Sequence, residues 1–311
     1  GDPEQGYFSD GLTDELIGQI SRIGSLRVIS RTSVMQYKGG ARKALPVIAR
    51  ELSVDAILEG TVMQSSGKVR ITTKLIRAHD DTHLWSETYE RDLTDVLVLQ
   101  SEVARAVARQ IQTELTPREQ ASLTHKRPVN PEAYIAFLKG NFLLYKGISG
   151  VLKSIDFFRQ AITLDSSHAE SHAGLAQALC YAGIFGFRPS EETHPAARVA
   201  ALKALEIDES NASAHNVLAD VKKGYDWDLA GAVTEYQRAL QLNPSHLLTR
   251  MWYAECLSCM KRYEEALAES GRTLLLDPVS PASISNRAML FFRSRRYDEA
   301  IRASQQAHEL D

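Results

Sequence analysis

The hydrophobic pattern changes character near residue 120. Before that point the apolar period switches from one element to the next; from residue 130 onward it stays helical almost throughout. Residues 10–23 place Leu12, Leu16, Ile17, Ile20 and Ile23 at helical spacing, with Ser9 or Asp10 as cap. LRVIS (26–30) reads as a short apolar strand, and ALPVIARELS (44–53) as a second amphipathic helix with Leu45, Ile48, Ala49 and Leu52 on one face. DAILEGTVMQ (55–64) predicts a strand and SSGK (65–68) a turn. KVRITTKLIR (68–77) alternates strictly, with Val69, Ile71, Thr73 and Leu75 facing one way and Arg70, Thr72 and Lys74 the other. A turn at 78–82 leads to a strand at 83–91, and the four strands are expected to share one sheet. A long helix over about 94–115 puts Val96, Leu99, Val103, Val107, Ile111 and Leu115 on one face.

The second half repeats itself. An apolar residue followed by an acid or Asn, often then Pro, recurs at Asn130-Pro131, Leu164-Asp165, Ile207-Asp208, Leu242-Asn243-Pro244, Leu276-Asp277-Pro278 and Leu310-Asp311. The steps are 35, 43, 35, 34 and 34 residues. Small residues fall where paired helices must approach: Gly140, Ala176, Ala219, Ala254 and Ala288, then Ala197, Ala232, Ala266 and Ala300. RYEEALAES (262–270) and RYDEAIRAS (296–304) are near copies. Residues 130–311 thus resemble five tetratricopeptide (TPR) repeats, which implies ten paired helices. Three departures stand out. GIFGFRPSEETH (183–194) reads as an insertion between the helices of repeat two, GYDWDLAGA (224–232) is one residue longer than the standard turn, and repeat one has Ser154 in place of Ala.

A second resemblance lies in the first third. GDPEQGYFSDGLTDELI, VISRTSVMQYKG, ILEGTV, HLWSETYERDLTDV and LQSEVA are similar to the small α/β domain at the amino end of TolB-like proteins, with relatives among FlgO- and CsgG-like outer-membrane assembly proteins. Followed by TPRs, it resembles a module of bacterial signalling proteins that lies after a winged-helix, adenylate cyclase or Ser/Thr kinase domain. The expected fold class is α+β: a small N-terminal α/β domain over 1–116 with a mixed, partly meander sheet, a joint over 117–130, and an all-α TPR superhelix over 131–311. The family's apolar strand before GDPEQ is missing from the sequence. The chain is therefore expected to be a fragment, with an open sheet edge at 26–30 through which two copies could pair.

Charge and composition narrow the function. The 36 Lys plus Arg face 39 Asp plus Glu, for a formal net charge of −3, which excludes a generic polybasic nucleic-acid or membrane binder. No apolar run reaches the roughly 20 residues that a bilayer span requires. GDPEQGYFSD has neither the basic nor the apolar region of a signal peptide. Three cysteines rule out a disulfide scaffold and favour a reducing, cytoplasmic compartment, with the periplasm as the alternative.

Catalytic patterns are not found. SSGK lacks the spacing of a phosphate loop and precedes a strand, so it is read as a hairpin turn. Cys256 and Cys259 have no second ligand pair, and buried helix packing accounts for them. His79, Asp80, Asp81 and His83 fit turn chemistry. His168 and His172 lack the Glu of a zincin, and Asp92 and Asp95 suit helix capping. Arg293, Arg295, Arg296 and Arg302 form a solvated basic corner. No cofactor, metal or catalytic residue is expected.

The resemblance to TPRs implies a concave groove lined by the first helices. Repeat alignment puts Phe137, Asn141, Tyr145, Gln177, Tyr181, Asn216, Asp220, Lys223, Met251, Glu255, Met289 and Arg293 there, with Ser285 beside them. The Lys/Asn/Arg set that grips a peptide carboxylate is absent. The expected partner is a protein or peptide in this groove, with Tyr145, Tyr181, Asn141 and Asn216 as its centre. The alternative is that the groove is solvated or packs against the parent chain. The reading is a non-catalytic regulatory region of an adenylate cyclase or winged-helix regulator, set against an envelope assembly or scaffold protein.

Overall fold

The strict alternation across residues 68–77 becomes the central strand of an antiparallel meander. In this computed structural model, which describes residues 3–38, 43–65, 67–123 and 128–310, strands β1 (Ala56–Ser65), β2 (Lys68–Arg77) and β3 (Thr82–Asp92) lie in the order β1-β2-β3. Val69, Ile71, Thr73 and Leu75 are all buried on one face, while Arg70 on the other pairs with Glu90 of β3 at 2.6 Å. A register irregularity after Leu75 lets Ile76 join the buried set. Gly67 takes φ +76° in the β1–β2 turn, a conformation that glycine adopts without strain. Ser66 of that turn lies outside the described residues.

Helices α1 (Pro3–Ile20), α3 (Leu45–Leu52) and α4 (Val96–Gln110) pack on the sheet. Helix α1 starts earlier than the apolar spacing suggests. Phe8 is buried and carries the packed face further towards the N-terminus, past glycines that dilute the pattern. One of them, Gly11, sits where an added Cβ would lie 2.9 Å from Leu138, so it permits close approach to the first repeat. Helix α4 ends sooner than expected, because Gln112 takes a left-handed φ of 55°. A short helix α2 (Arg31–Met35), capped by Ser30, was not foreseen.

Two expectations about the sheet are corrected. It is wholly antiparallel, not mixed. Residues 26–30 are extended but form no strand in it; the Ser30 N–H donates instead to the carbonyl of Leu276 at 2.8 Å. A backbone that finds its partners on a repeat turn has no need of a sheet edge.

Beyond helix α5 (Pro117–Ser122), with residues 124–127 of the joint outside the described set, ten helices follow in five antiparallel pairs. These are α6 (Pro131–Leu144) with α7 (Gly147–Leu164), α8 (Ala169–Ile184) with α9 (Ser190–Ile207) and α10 (Ala212–Val221) with α11 (Leu229–Leu242). The last two are α12 (Leu247–Cys259) with α13 (Tyr263–Leu276) and α14 (Pro281–Arg293) with α15 (Tyr297–Glu309). The chain is thus α+β, a small sheet domain followed by a TPR-type superhelix. Every small residue named at the helix seams is buried. At Gly140 an added Cβ would lie 2.7 Å from the Phe158 ring, and at Gly174 2.4 Å from the same ring, so two helices clamp one aromatic.

The repeat departures take local forms. GIFGFRPSEETH mostly lengthens α8 and α9 and leaves 185–189 as the connection. The extra residue of repeat three is absorbed by a π-helical turn at Lys222–Asp226, and Trp227 then takes a left-handed φ of 58°.

Candidate protein-binding face

The first helices α6, α8, α10, α12 and α14 pack side by side and form one continuous face. Asn130 starts this series, its side chain accepting hydrogen bonds from the N–H groups of Glu132 and Ala133 ahead of the first turn. The residues assigned to the face from the repeat alignment separate into three groups.

The first group is buried and holds the helices together. Phe137 packs edge-on to His168 at 4.9 Å and against Phe158 at 6.2 Å. Gln177, Asn216 and Asp220 form a buried network across repeats two to four. Asn216 donates to Gln177 at 3.3 Å and to Asp220 at 3.2 Å, and Thr249 donates to Asn216 at 3.1 Å. Tyr236 donates to Asp220 at 2.5 Å. Burial pushes the Asp220 carboxyl up to about 6, against the pull of Lys223 and of its hydrogen-bond donors. Tyr181 is buried too, its ring 5.6 Å from Phe185. All five side chains are buried, so the structure puts Tyr181 and Asn216 inside the packing of the repeats, where the repeat alignment expected the centre of the groove.

The second group is a ladder of charges across repeats three to five. Lys223 lies 3.5 Å from Glu255 and 4.5 Å over the Trp252 ring, and Arg293 approaches the other Glu255 oxygen at 3.8 Å. The third group keeps exposed surface. Tyr145 is 50% exposed, and Met251 and Met289 are partly so. Met289, Ser285, Phe292, Tyr297 and Ile301 line a groove of about 850 Å³ on the last pair.

Part of the face is already covered by the chain itself. Helix α1 lies on α6: Asn141 donates to Glu15 at 3.3 Å, and Lys139 sits 5.1 Å over the Tyr7 ring. Asp14 and Arg31 lie within electrostatic reach of Tyr145. Burial, with the carboxylates of Glu170 and Asp14 nearby, pushes Glu15 up to about 8, and Arg22 opposes the shift. Beyond α1, residues 21–38 run as a strap over the repeat turns. Arg27 donates to the carbonyl of Leu275 at 3.1 Å, Gln36 to that of Val279 at 2.9 Å, and Ser245 to that of Leu26 at 3.4 Å. The N–H of Gly24 donates to Glu119 at 2.7 Å.

The anchor of the strap is Asp277, which is buried. Ser30 and Ser33 donate to one of its carboxylate oxygens, Ser33 at 2.8 Å, and Ser283 donates to the other at 2.5 Å. None of these strap contacts was read from the sequence, which took 26–30 for the open edge of the sheet. A signal existed: at the equivalent turns Asp165 and Asp208 accept both the N–H and the hydroxyl of a serine two residues on, whereas Asp277 has Val279 there, which carries no hydroxyl.

Comparison with known proteins finds similarity to a regulator domain in the first part and to TPR proteins in the second. Residues 3–106 match the family described as HilA/YgeH-like transcriptional regulator, second domain. That family is named for regulators, and it does not bear out the TolB-like or FlgO-like domain expected from the quoted segments. A protein of Rhizobium meliloti (strain 1021) named "Putative adenylate cyclase 3" is 33% identical over 178 residues, 57% of this chain. The chain spans 30% of the length of that curated relative. A thermophilic TPR protein of Thermus thermophilus aligns over 57% of this chain and 91% of its own, with 16% identity and a TM-score of 0.48. YrrB, described as a TPR protein with an unusual peptide-binding site, aligns over 63% and 93%, with 20% identity and a TM-score of 0.38. No helix of the described residues is long and apolar enough to cross a membrane.

Proposed function

We propose that this chain is a non-catalytic regulatory and protein-interaction region of a bacterial signalling protein, whose output domain is a nucleotide cyclase or a winged-helix regulator. The observation that carries the reading is the continuous first-helix face, to which the repeat alignment assigns half-exposed Tyr145 in repeat one, partly exposed Met251 and Met289 in repeats four and five, and the paired charges of repeats three to five. Stacked repeats present such a face with little internal rearrangement, which suits partner binding. The regulator-domain match over residues 3–106 and the Rhizobium relative support the choice of parent class. The same reading keeps a first domain over 1–116, a joint over 117–130, an array over 131–311 and a cytoplasmic location.

The partner suited to this face is a protein segment with apolar anchors and mixed charge. Tyr145 and Met289 give it apolar contact, and the Lys223–Glu255–Arg293 ladder gives it both signs. The test is capture of partners from a bacterial lysate by the wild-type chain and by the Tyr145→Ala, Met289→Ala, Arg293→Ala triple variant. Loss of at least one specific partner, with affinity reduced by about 1–3 kcal/mol for a true anchor, is expected. A triple variant that melts like wild type and retains every specific partner ends the reading. The purified chain is also expected to form no cyclic AMP and to hydrolyse no ATP.

A further inference from the structure

Where the first helix of each pair gives way to the second, one residue takes the left-handed region. In repeats one and two it is a glycine, Gly147 at φ 70° and Gly186 at φ 69°. In repeats four and five it is a long cation, Lys261 at φ 62° and Arg295 at φ 63°. Repeat three has Trp227 there, at φ 58°. A bulky side chain in this region costs free energy. Packing returns little of it, because Trp227 is 81% exposed, more than any other large hydrophobic side chain among the described residues.

The backbone that presents this indole is held in place. The π-helical turn Lys222–Asp226 leads directly into Trp227. The Tyr225 ring of that turn stacks on His194 of α9 at 5.4 Å with the planes 7° apart, and Arg198 of α9 pairs with Asp226. His194 is also the last residue of the insertion in repeat two, whose Phe185 packs on Tyr181 at 5.6 Å and on Phe187 at 5.8 Å. Both departures from the repeat thus meet at one corner of the array, and both bring an exposed aromatic ring to it besides Trp227, Tyr225 from one and Phe185 from the other.

The chemistry that suits this indole is a cation. Elsewhere the chain supplies its own: Lys43 lies over Tyr37, Lys139 over Tyr7, Lys146 over Phe142, Lys223 over Trp252 and Arg296 over Phe291, at 4.5 to 5.5 Å. No cation of the described residues lies over Trp227. Asp226 and Asp228 flank it in sequence, and exposed Glu191 and Glu192 open the helix that carries His194. Arg188 is the one cation of the connection at 185–189. Single-stranded nucleic acid, which also stacks on exposed rings, would be repelled by these carboxylates. We propose that the corner of Trp227, Tyr225 and Phe185 is a second docking site, for a basic protein segment that lays an arginine or lysine across the indole next to the Asp228 carboxylate. The site is built from turns, and it takes a different segment from the one proposed for the first-helix face.

The test uses the full chain and its Trp227→Gly variant. Glycine stands at this position in repeats one and two, so the variant should fold and melt no lower than wild type. The probe is a displayed library of random peptides, selected on the wild-type chain and counter-selected on Trp227→Gly. Sequences that depend on Trp227 should be richer in arginine and lysine than the starting library. In the strongest of them, replacing the arginine by glutamine should weaken binding about tenfold. Trp227→Lys, which copies the residue of repeat four, should fold and bind none of them. The proposal is overturned if no sequence depends on Trp227, if those that do are acidic or uncharged, or if Trp227→Gly melts below wild type because the indole packs within the fold. It is also overturned if the wild-type chain self-associates in sedimentation while Trp227→Gly stays monomeric, since the occupant is then a second copy. The triple variant at Tyr145, Met289 and Arg293 leaves Trp227 in place, so this proposal and the partner-binding reading fail separately.

Discussion

Replacing Glu15 by Gln should stabilise the protein in a strongly pH-dependent way. Glu15 is carried by α1, accepts a hydrogen bond from Asn141 at 3.3 Å, and faces Glu170 of α8 and Asp14 of its own helix, with Arg22 the one opposing charge and the Tyr134 ring of α6 nearby. Burial, then these carboxylates, lift its pKa from 4.5 to about 8. The folded chain therefore holds this proton more tightly than the unfolded chain does. The stability that Glu15 contributes is fully present below pH 4.5 and is lost as pH rises through about 8. A shift of that size corresponds to about 5 kcal/mol if the group were wholly shielded. Glu15 keeps part of its surface in solvent, which reduces the effect to on the order of 1–3 kcal/mol. Gln retains the oxygen that Asn141 needs and cannot ionise. Urea unfolding of both chains across a pH series should show the variant more stable by about that amount at alkaline pH, with the two converging in acid. A variant no more stable than wild type at alkaline pH, or a constant difference across the series, would refute the placement of Glu15 among those carboxylates.

Three further outcomes follow from the packing. Gly140→Ala should lower the melting temperature: the helix gains about 1 kcal/mol of propensity, but the new Cβ meets a Phe158 ring that Gly174 blocks from behind, and overpacking costs about 1–3 kcal/mol. A raised melting temperature, or no recovery on adding Phe158→Leu, would contradict this. Tyr236→Phe removes the 2.5 Å bond to the buried Asp220 and should cost about 1–3 kcal/mol in urea unfolding; a neutral variant would mean that Asp220 finds another donor. A double-mutant cycle on Lys223 and Glu255, whose side chains are only 12% and 19% exposed, should return a coupling that added salt changes little, and a value that vanishes in salt would show a pair open to solvent.

The repeat array was legible because one constraint acts over and over. Helices that touch through Ala219, Ala254 and Ala232 admit no larger residue, so the small positions recur at the structural period and reveal it. The meander was legible for the same reason, since a half-buried strand writes its pleat into Val69, Ile71, Thr73 and Leu75. The candidate face was only half legible. Repeat alignment finds the helix positions that face one side, but it does not show how closely neighbouring helices approach there. Asn216 and Asp220 are consumed by a network between repeats, and Asn141 by α1, whereas Tyr145 stays half-exposed.

The strap was illegible for a different reason. Local pattern assigns LRVIS to a strand, because an extended apolar run looks the same whether its hydrogen bonds go to a sheet or to a turn far along the chain. The informative residue lies elsewhere, at Val279. Turns closed by Asp165, Asp208 and Asn243 each draw on a serine two positions on, and Val279 breaks that pattern at the one turn whose acid is fully buried. At Asp165 and Asp208 that serine also gives its hydroxyl, at 2.5 and 2.6 Å, and Val279 has none to give, so the buried Asp277 carboxylate draws on other hydroxyls. Ser283 is one candidate within reach, and the second oxygen still requires another. Serines three residues apart ahead of a helical turn, as at Ser30 and Ser33, can serve one acceptor together. In a repeat protein, the position that departs from its own repeat is therefore where contact with a non-repeat segment should be sought first.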